Sequence, residues 1–192
     1  MKKILFIILL SLNSPIWADD INDFAIGEVS LGKSLLDYTK KNQISNLKSN
    51  QQYSNDKYIR YTISKILEFN EFDFVDVMTL KNDPKYIIQG ISAAVRYDQL
   101  DECLSLKAKI QKEIEKIMTP DQKQETEFPS KQDKTGESII YGVQYYTKPY
   151  PSNEAIMVNC YHMTEKSNIN RVLRISVNSD EFAYFIINDA FM

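Results

Sequence analysis

The chain has 192 residues, 43% of them hydrophobic and 26% charged, with 23 Lys+Arg against 26 Asp+Glu. This is an ordinary globular composition, and it excludes collagen-like, low-complexity and disordered polyelectrolyte classes. A net charge of −3 offers no basic face to nucleic acid, and one histidine with two cysteines excludes most multi-ligand zinc sites.

The N-terminus reads Met1-Lys2-Lys3, then Ile4 to Leu12, apolar apart from Ser11. Asn13-Ser14-Pro15 break the run, and Ala18 precedes Asp19-Asp20. A positive start, a short apolar stretch and a small residue at the cut predict a Sec-type signal peptide over 1–18, cleaved after Ala18. The run is far shorter than the roughly 20 residues that span a bilayer. Cleavage removes Lys2, Lys3 and Trp17, the single tryptophan, and leaves 19–192 as one more acidic domain. No cysteine lies near the cut and no later stretch is long enough to span. The expected product is periplasmic or secreted, without a transmembrane segment.

Residues 19–30 form a polar lead-in. Gly32 suits a tight entry turn into a short helix over Lys33 to Lys40, and a turn or two of helix is expected over Ile44 to Leu47. The Asn/Gln/Ser-rich stretch Ser49 to Asp56 reads as loop. Three strands follow: Tyr58 to Ile66, Phe72 to Leu80 and, after the turn signal Asn82-Asp83-Pro84, Tyr86 to Tyr97. Gly90 in the third marks a bulge or a close approach.

Asp98 to Met118 reads as a helix that Asp98 caps and Pro120 ends. Its apolar stripe is Leu100, Cys103, Leu104, Ile110, Ile114 and Ile117. Residues 119–137, polar and holding Pro120, Pro129 and Gly136, read as an exposed loop. Three more strands are expected over Ser138 to Thr147, Asn153 to Met163 and Asn170 to Val177, and then a final helix capped by Asn178 with Glu181 three residues on. The order α-βββ-α-βββ-α predicts an α+β fold with antiparallel sheet covered by helices. It forms either two similar halves, 30–97 and 98–192, or one six-stranded sheet.

Export turns Cys103 and Cys160 into a disulfide candidate. Cys103 lies on the core stripe of its helix, and Cys160 shares a strand face with Ile156, Val158 and His162. The bridge would close a loop of about 57 residues, which chain-entropy arithmetic values at about 4 kcal/mol. No Cys-x-x-Cys supports a redox pair.

His162 could act as a general base, but spacing assigns it no carboxylate partner, and a Cys160–His162 nucleophilic pair would need Cys160 free. Glu68, Glu71, Asp73 and Asp76 cluster at a turn and strand, and Asp98, Asp101 and Glu102 at a helix start, where the helix dipole accounts for them. Gly27-x-x-x-x-Gly32-Lys33-Ser34 matches the literal spacing of a phosphate loop, but Val29 and Leu31 inside it and the very short strand before it argue against that chemistry. Tyr145-Tyr146-Thr147-Lys148-Pro149-Tyr150-Pro151 is the most unusual stretch. Tyr145, Tyr146, Lys148 and Tyr150 are the candidate contact surface, since amphipathic aromatics near a loop tip serve partner binding.

The segment Ile26-Gly27-Glu28-Val29-Ser30-Leu31-Gly32-Lys33-Ser34-Leu35-Leu36-Asp37-Tyr38 resembles the start of a group of small exported proteins of AT-rich marine bacteria. Their Gly-x-Ser-x-Gly-x-Ser-Leu-Leu-Asp-Tyr/Phe segment follows a signal peptide, and a cysteine in a mid-chain helix and Asn159-Cys160-Tyr161 fit the same pattern. The chain also resembles, more weakly, BamE/SmpA-type envelope modules, in which a Gly-containing turn leads into helices and a three-stranded meander. That second resemblance implies protein–protein contact.

With no catalytic constellation, no metal set and no cofactor motif, the sequence points to a non-enzymatic envelope module that binds a protein or peptide partner. A small-ligand binder with an apolar pocket between sheet and helices is the alternative, followed by a carboxylate-dependent hydrolase.

Overall fold

The computed structural model describes residues 21–50, 53–116, 122–130, 133, 135–148, 152–164 and 171–190. The signal segment and the expected cut after Ala18 lie outside them. The chain is α+β: a seven-stranded antiparallel sheet, a small hairpin and α-helices.

The hairpin comes first: β1 (Ala25–Ile26) pairs with β2 (Val29–Ser30) across Gly27, which has φ +63°. The expected helix over Lys33 to Lys40 is only a 3-10 turn, Leu35–Asp37, capped by Ser34, whose side chain accepts from the Leu36 N–H. Ser34 Oγ also donates to the Lys85 carbonyl at 2.5 Å. The hydroxyl that imitates a phosphate-loop serine is therefore occupied by capping. Helix α1 (Ile44–Leu47) falls where the apolar residues predicted it.

The large sheet holds β3 (Tyr58–Thr62), β4 (Phe74–Leu80), β5 (Ile88–Arg96), β6 (Lys123–Pro129), β7 (Ile139–Tyr146), β8 (Ala155–His162) and β9 (Val172–Asn178). Their spatial order is β3-β4-β5-β9-β8-β7-β6. The predicted halves share one sheet because β5 pairs with β9 along its length, from Gly90 opposite Asn178 to Arg96 opposite Val172. The seventh strand, β6, lies inside the stretch read as a loop, 119–137. It forms at the sheet edge by pairing with β7, Thr126 opposite Gly142.

One face of the sheet and the N-terminal segment build the main core. Val75, Val77, Ile91, Ala93, Val143, Ile156, Val158, Leu173 and Ile175 meet Leu35, Ile44, Leu47, Ile110 and Ile114 there. Helix α2 (Leu100–Ile114) starts with a Gln99/Glu102 capping box, not at Asp98, and buries Cys103, Lys107, Ile110 and Ile114. The buried Lys107 was not part of the predicted stripe. Cys103 and Cys160 are bonded, clamping α2 to the centre of β8. Lys123 pairs with Glu115 and Glu125 at 2.9 and 2.8 Å, tying the edge strand to the end of α2.

The opposite face carries a smaller cluster at one corner. Helix α3 (Asp180–Asn188) is capped by Ser179, one residue after the expected Asn178, and the Ser179 hydroxyl accepts from the Phe182 N–H. Phe182 and Phe185 pack on Tyr53, Tyr58 and Met78, with Tyr58 4.8 Å from Phe185 between ring centres. Gly90 lies beneath Phe182: a Cβ there would stand 2.5 Å from the Phe182 ring and 2.8 Å from Met78 Cε. The strand register shifts beside it, between Met78 and Thr79, so the glycine marks both a close approach and an irregularity.

Gly90→Ala is expected to lower stability by about 1–3 kcal/mol, because the added methyl overpacks the α3 corner, and denaturant unfolding measures it. Replacing both Cys103 and Cys160 by Ala is expected to cost about 4 kcal/mol for the 57-residue separation. That corresponds to a fall on the order of 10 °C in Tm for a domain of this size, read by calorimetry.

Candidate functional site

Successive strand residues point to opposite sides of the sheet. The side that carries α3 also carries two cross-strand rows beyond that helix. One row runs Thr126, Gly142, Asn159, Arg174, Ala94, Phe74, each directly opposite the next. Its neighbour runs Gln124, Gln144, Met157, Ser176, Ser92, Asp76, Thr62. Neither hydrophobic cluster contains a residue of these rows. A sheet face that packs against nothing apolar is expected to be polar, and these rows hold three amides, six hydroxyl or charged side chains and few large apolar ones.

Several of the polar groups are nonetheless shielded. Asn159 is 8% exposed and Ser92 6%. Thr126 Oγ1, Asn159 Oδ1, Arg174 Nε and Ser92 Oγ are buried atoms with no hydrogen-bond partner in the protein. Buried polar atoms are nearly always paired, and leaving one unpaired costs about 1–3 kcal/mol. Three of these four lie along one row.

Gly142 lies between Thr126 and Asn159 in that row. A Cβ on Gly142 would stand 2.5 Å from both Asn159 Oδ1 and Thr126 Oγ1. The Asn159 and Thr126 side chains thus close over Gly142 and take the space that a side chain there would fill. Arg174 is the next residue across, its guanidinium carbon 5.4 Å from the centre of the Tyr161 ring. The alternation places Arg60, Arg96 and Arg174 on this face against one carboxylate, Asp76. Asp76 accepts from Thr62 Oγ1 at 2.7 Å, and Arg60 donates to the Tyr53 hydroxyl at 3.0 Å. The face is thus locally cationic on an acidic chain.

The residues singled out from sequence are distributed differently. Tyr145 is 1% exposed and donates to Glu115 Oε1 at 3.2 Å, on the α2 side. Tyr146 points to the opposite side and donates to Gln144 Oε1 at 2.6 Å. Lys148 pairs with the buried Glu154 at 3.0 Å. Tyr150 lies outside the described residues. The three described members do not share a surface, because adjacent strand residues face opposite ways.

Cys160 is bonded to Cys103, which leaves no thiol for a Cys160–His162 nucleophile. His162 has a buried Nδ1 without a protein partner. Desolvation first, and the Arg171 charge second, push its pKa below the usual histidine value. The acidic clusters are absorbed locally. Asp73 accepts from the Arg96 N–H at 2.6 Å, Glu102 closes the α2 capping box and Glu68 and Asp101 are exposed. No group of three or more metal-ligating side chains occurs among the described residues.

Asp133 is the most heavily bonded carboxylate. It accepts from the N–H and hydroxyl of both Thr135 and Ser138, with Ser138 Oγ at 2.5 Å. The Ser138 hydroxyl first, then the Thr135 N–H, hold its pKa down to about 2. The folded value lies below the ordinary 3.8, so the contribution is fully present above pH 3.8 and is lost as pH falls through about 2.

Sequence reading missed Thr126, Gly142, Ser92 and Arg174 as site residues, and met Asn159 only as part of a resemblance. The available signal was a polar residue or a glycine within each otherwise apolar strand. Only the register brings them together.

Asp133→Asn is expected to lower the urea midpoint at neutral pH. The gap from the parent protein narrows between pH 4 and pH 2, as the parent carboxylate takes up its proton. A gap that stays constant with pH counts against the charged role.

Comparison with protein-family models, with curated proteins and with solved structures finds no match to this chain.

Proposed function

We propose that the chain is an exported, non-catalytic binding protein that holds a polar ligand on the face of its sheet. The observation that carries this reading is the set of shielded, unpaired polar atoms at Thr126, Asn159 and Arg174, in a row that contributes to neither hydrophobic cluster. Polar groups left unpaired by the protein are those whose hydrogen-bonding capacity a polar ligand would satisfy.

Of the two non-catalytic readings drawn from the sequence, the ligand binder has the better support. A protein partner asks for clustered aromatic or aliphatic anchors, whereas the exposed large apolar residues Ile66, Phe128, Tyr184 and Ile187 are spread over three separate segments. The ligand does not sit between sheet and helix, where Cys103, Ile110, Val158 and Leu173 are all packed at 2% exposure or less. Residence in the periplasm or outside the cell is part of the same proposal. It is supported by the Met1-to-Ala18 pattern and by a disulfide of the kind oxidising compartments favour.

The test is amide chemical-shift mapping of the oxidised chain against a panel of polar small molecules, with cell fractionation beside it. Shifts should gather at Ser92, Thr126, Gly142, Asn159 and Arg174. The fractionated protein should begin at Asp19. Shifts confined to the Tyr145–Lys148 strand end, or to the β6 edge, would defeat the sheet-face reading.

A further inference from the structure

We infer that β6 is a charge-latched edge strand, which acid or high salt releases from β7 while the rest of the sheet stays folded. A strand is ordinarily held by apolar residues on its buried face as well as by its ladder. β6 lacks those residues. None of Lys123–Pro129 is buried, none belongs to either hydrophobic cluster, and Phe128 is 40% exposed. The strand it pairs with is different: Val143 and Tyr145 of β7 are fully buried in the main core.

Charges take the place of that packing. Lys123, Glu125 and Glu127 stand opposite Tyr145, Val143 and Tyr141, on the side of the sheet that carries α2. From α2, Glu115 meets Lys123 at 2.9 Å, and Gln111 donates to Glu125 at 3.4 Å. Lys123 also meets Glu125, at 2.8 Å. The buried Lys107 has Glu125 and Lys123 as its charged neighbours. From β7, the Tyr145 hydroxyl donates to Glu115 at 3.2 Å. On the reverse side Gln124 accepts from the Tyr146 hydroxyl at 3.3 Å. Lys107, Glu125, Lys123 and Glu115 thus run from helix to strand and back with alternating sign.

The protonation states set the direction. The hydrogen bond and then the charge of Lys123 hold the Glu125 carboxyl below its ordinary 4.5. Its contribution is therefore present above pH 4.5 and is lost as the pH falls through the lower folded value. The bonds to Glu125 and Glu115 hold the Lys123 ammonium above its ordinary range, so it stays charged in acid. Burial pushes the Lys107 ammonium down, a sign that it is poorly hydrated, and it too is charged in acid. Once the carboxylates are protonated, two cations face each other across the seam between α2 and β6, with only the ladder to hold the strand. Salt acts by a separate route at neutral pH, because the paired side chains are exposed enough to be screened. Release bares the backbone edge of β7 to another strand, and it takes Thr126 away from Gly142.

The experiment follows amide hydrogen exchange of the oxidised chain by NMR, as protection factors, which remove the intrinsic pH dependence of exchange. From pH 7 to pH 3, protection along the β6–β7 ladder should fall at least tenfold, while the amides of β4, β5 and β9 keep theirs. Sodium chloride at about 1 M and pH 7 should lower the same ladder several-fold. Lys123→Gln should lose protection at pH 7 and flatten the pH response. Lys107→Met should keep, at pH 3, protection that the parent loses, because the unopposed cation is gone. Asp133, at the other end of the hairpin, keeps its charge at pH 3 because its pKa is about 2. Asp133→Asn should therefore leave the ratio of protection between pH 7 and pH 3 as in the parent.

Equal protection of the ladder at pH 7 and pH 3 overturns the inference, as does a loss of the same size in β5 and β9, which is global unfolding. Protection that ignores salt at neutral pH overturns it as well. A Lys107→Met chain that loses protection in acid as the parent does removes the repulsion on which release depends. Loss of the pH response in Asp133→Asn assigns the sensor to the hairpin connection, and the latch fails with it.

Discussion

The pairing of β5 with β9 is the constraint on which the rest of the molecule depends. Each of these strands belongs to a different end of the chain, and each would otherwise be the edge of a smaller sheet. Seven residue pairs, from Gly90–Asn178 to Arg96–Val172, join the β3-β4-β5 meander to the β6-β7-β8-β9 meander. Such a contact closes a long loop before any hydrogen bond repays it. Both strands must therefore be apolar on the core face, and they are: Ile91, Ala93, Leu173, Ile175 and Val177 are all buried there. The same pairing sets Arg174 opposite Ala94 and Ser176 opposite Ser92, so it also assembles the polar rows on the reverse side.

The disulfide acts on this arrangement from the core side. α2 follows directly from β5, and β8 is the neighbour of β9. Bonding Cys103 to Cys160 therefore ties the helix that leaves β5 directly to the strand beside β9, and closes α2, β6, β7 and most of β8 into one crosslinked loop. Its effect in the chain-entropy model is on the unfolded ensemble, whose freedom to separate the two meanders is reduced. The ion pairs of Lys123 with Glu115 and Glu125 extend the same clamp to β6. Because these side chains are partly exposed, each contributes little on its own. Their geometry matters more than their energy, since β6 has one unpaired edge and carries Lys123, Glu125, Glu127 and Pro129 as protection against pairing with other chains.

Much of the fold was legible because period and turn chemistry agree in this chain. β3, β4, β5, β7 and β8 lie within the expected segments, β9 runs one residue beyond its own to Asn178, and the faces assigned to Cys103 and Cys160 were those that meet. β6 was not legible. Lys123-Gln-Glu-Thr-Glu-Phe-Pro has neither an apolar run nor an apolar face, and it becomes a strand only through β7 and the ion pairs to α2. The helix over Lys33 to Lys40 shrank to a 3-10 turn because the Gly32 N–H and the Lys33 carbonyl are taken by bonds to Ile88, which draws that backbone toward β5. Lys107 on the buried stripe of α2 shows a second limit. A long alkyl stem can lie against a core while its ammonium reaches toward Glu125, though burial still lowers its pKa.

The site was the least legible part, for a geometric reason. Thr126, Gly142, Asn159 and Arg174 come from four strands, and in each segment the residue looks like an interruption. Gly142 weakens β7 by removing a side chain that could pack, and Asn159 brings a second polar group next to the same gap. Separately, each is a small loss of stability with no local compensation. In register, the losses fall at one place: the glycine leaves room that the asparagine and threonine side chains fill with their oxygen atoms, and the arginine supplies a charge on the next strand. A sheet built only for stability would fill that row with branched apolar residues, as its other face does with Val143, Val158 and Ile175. The departure from that rule is confined to the two rows beyond α3, where no helix needs an apolar surface to rest on, and that confinement is the physical basis for reading the polar face as the working side of the molecule.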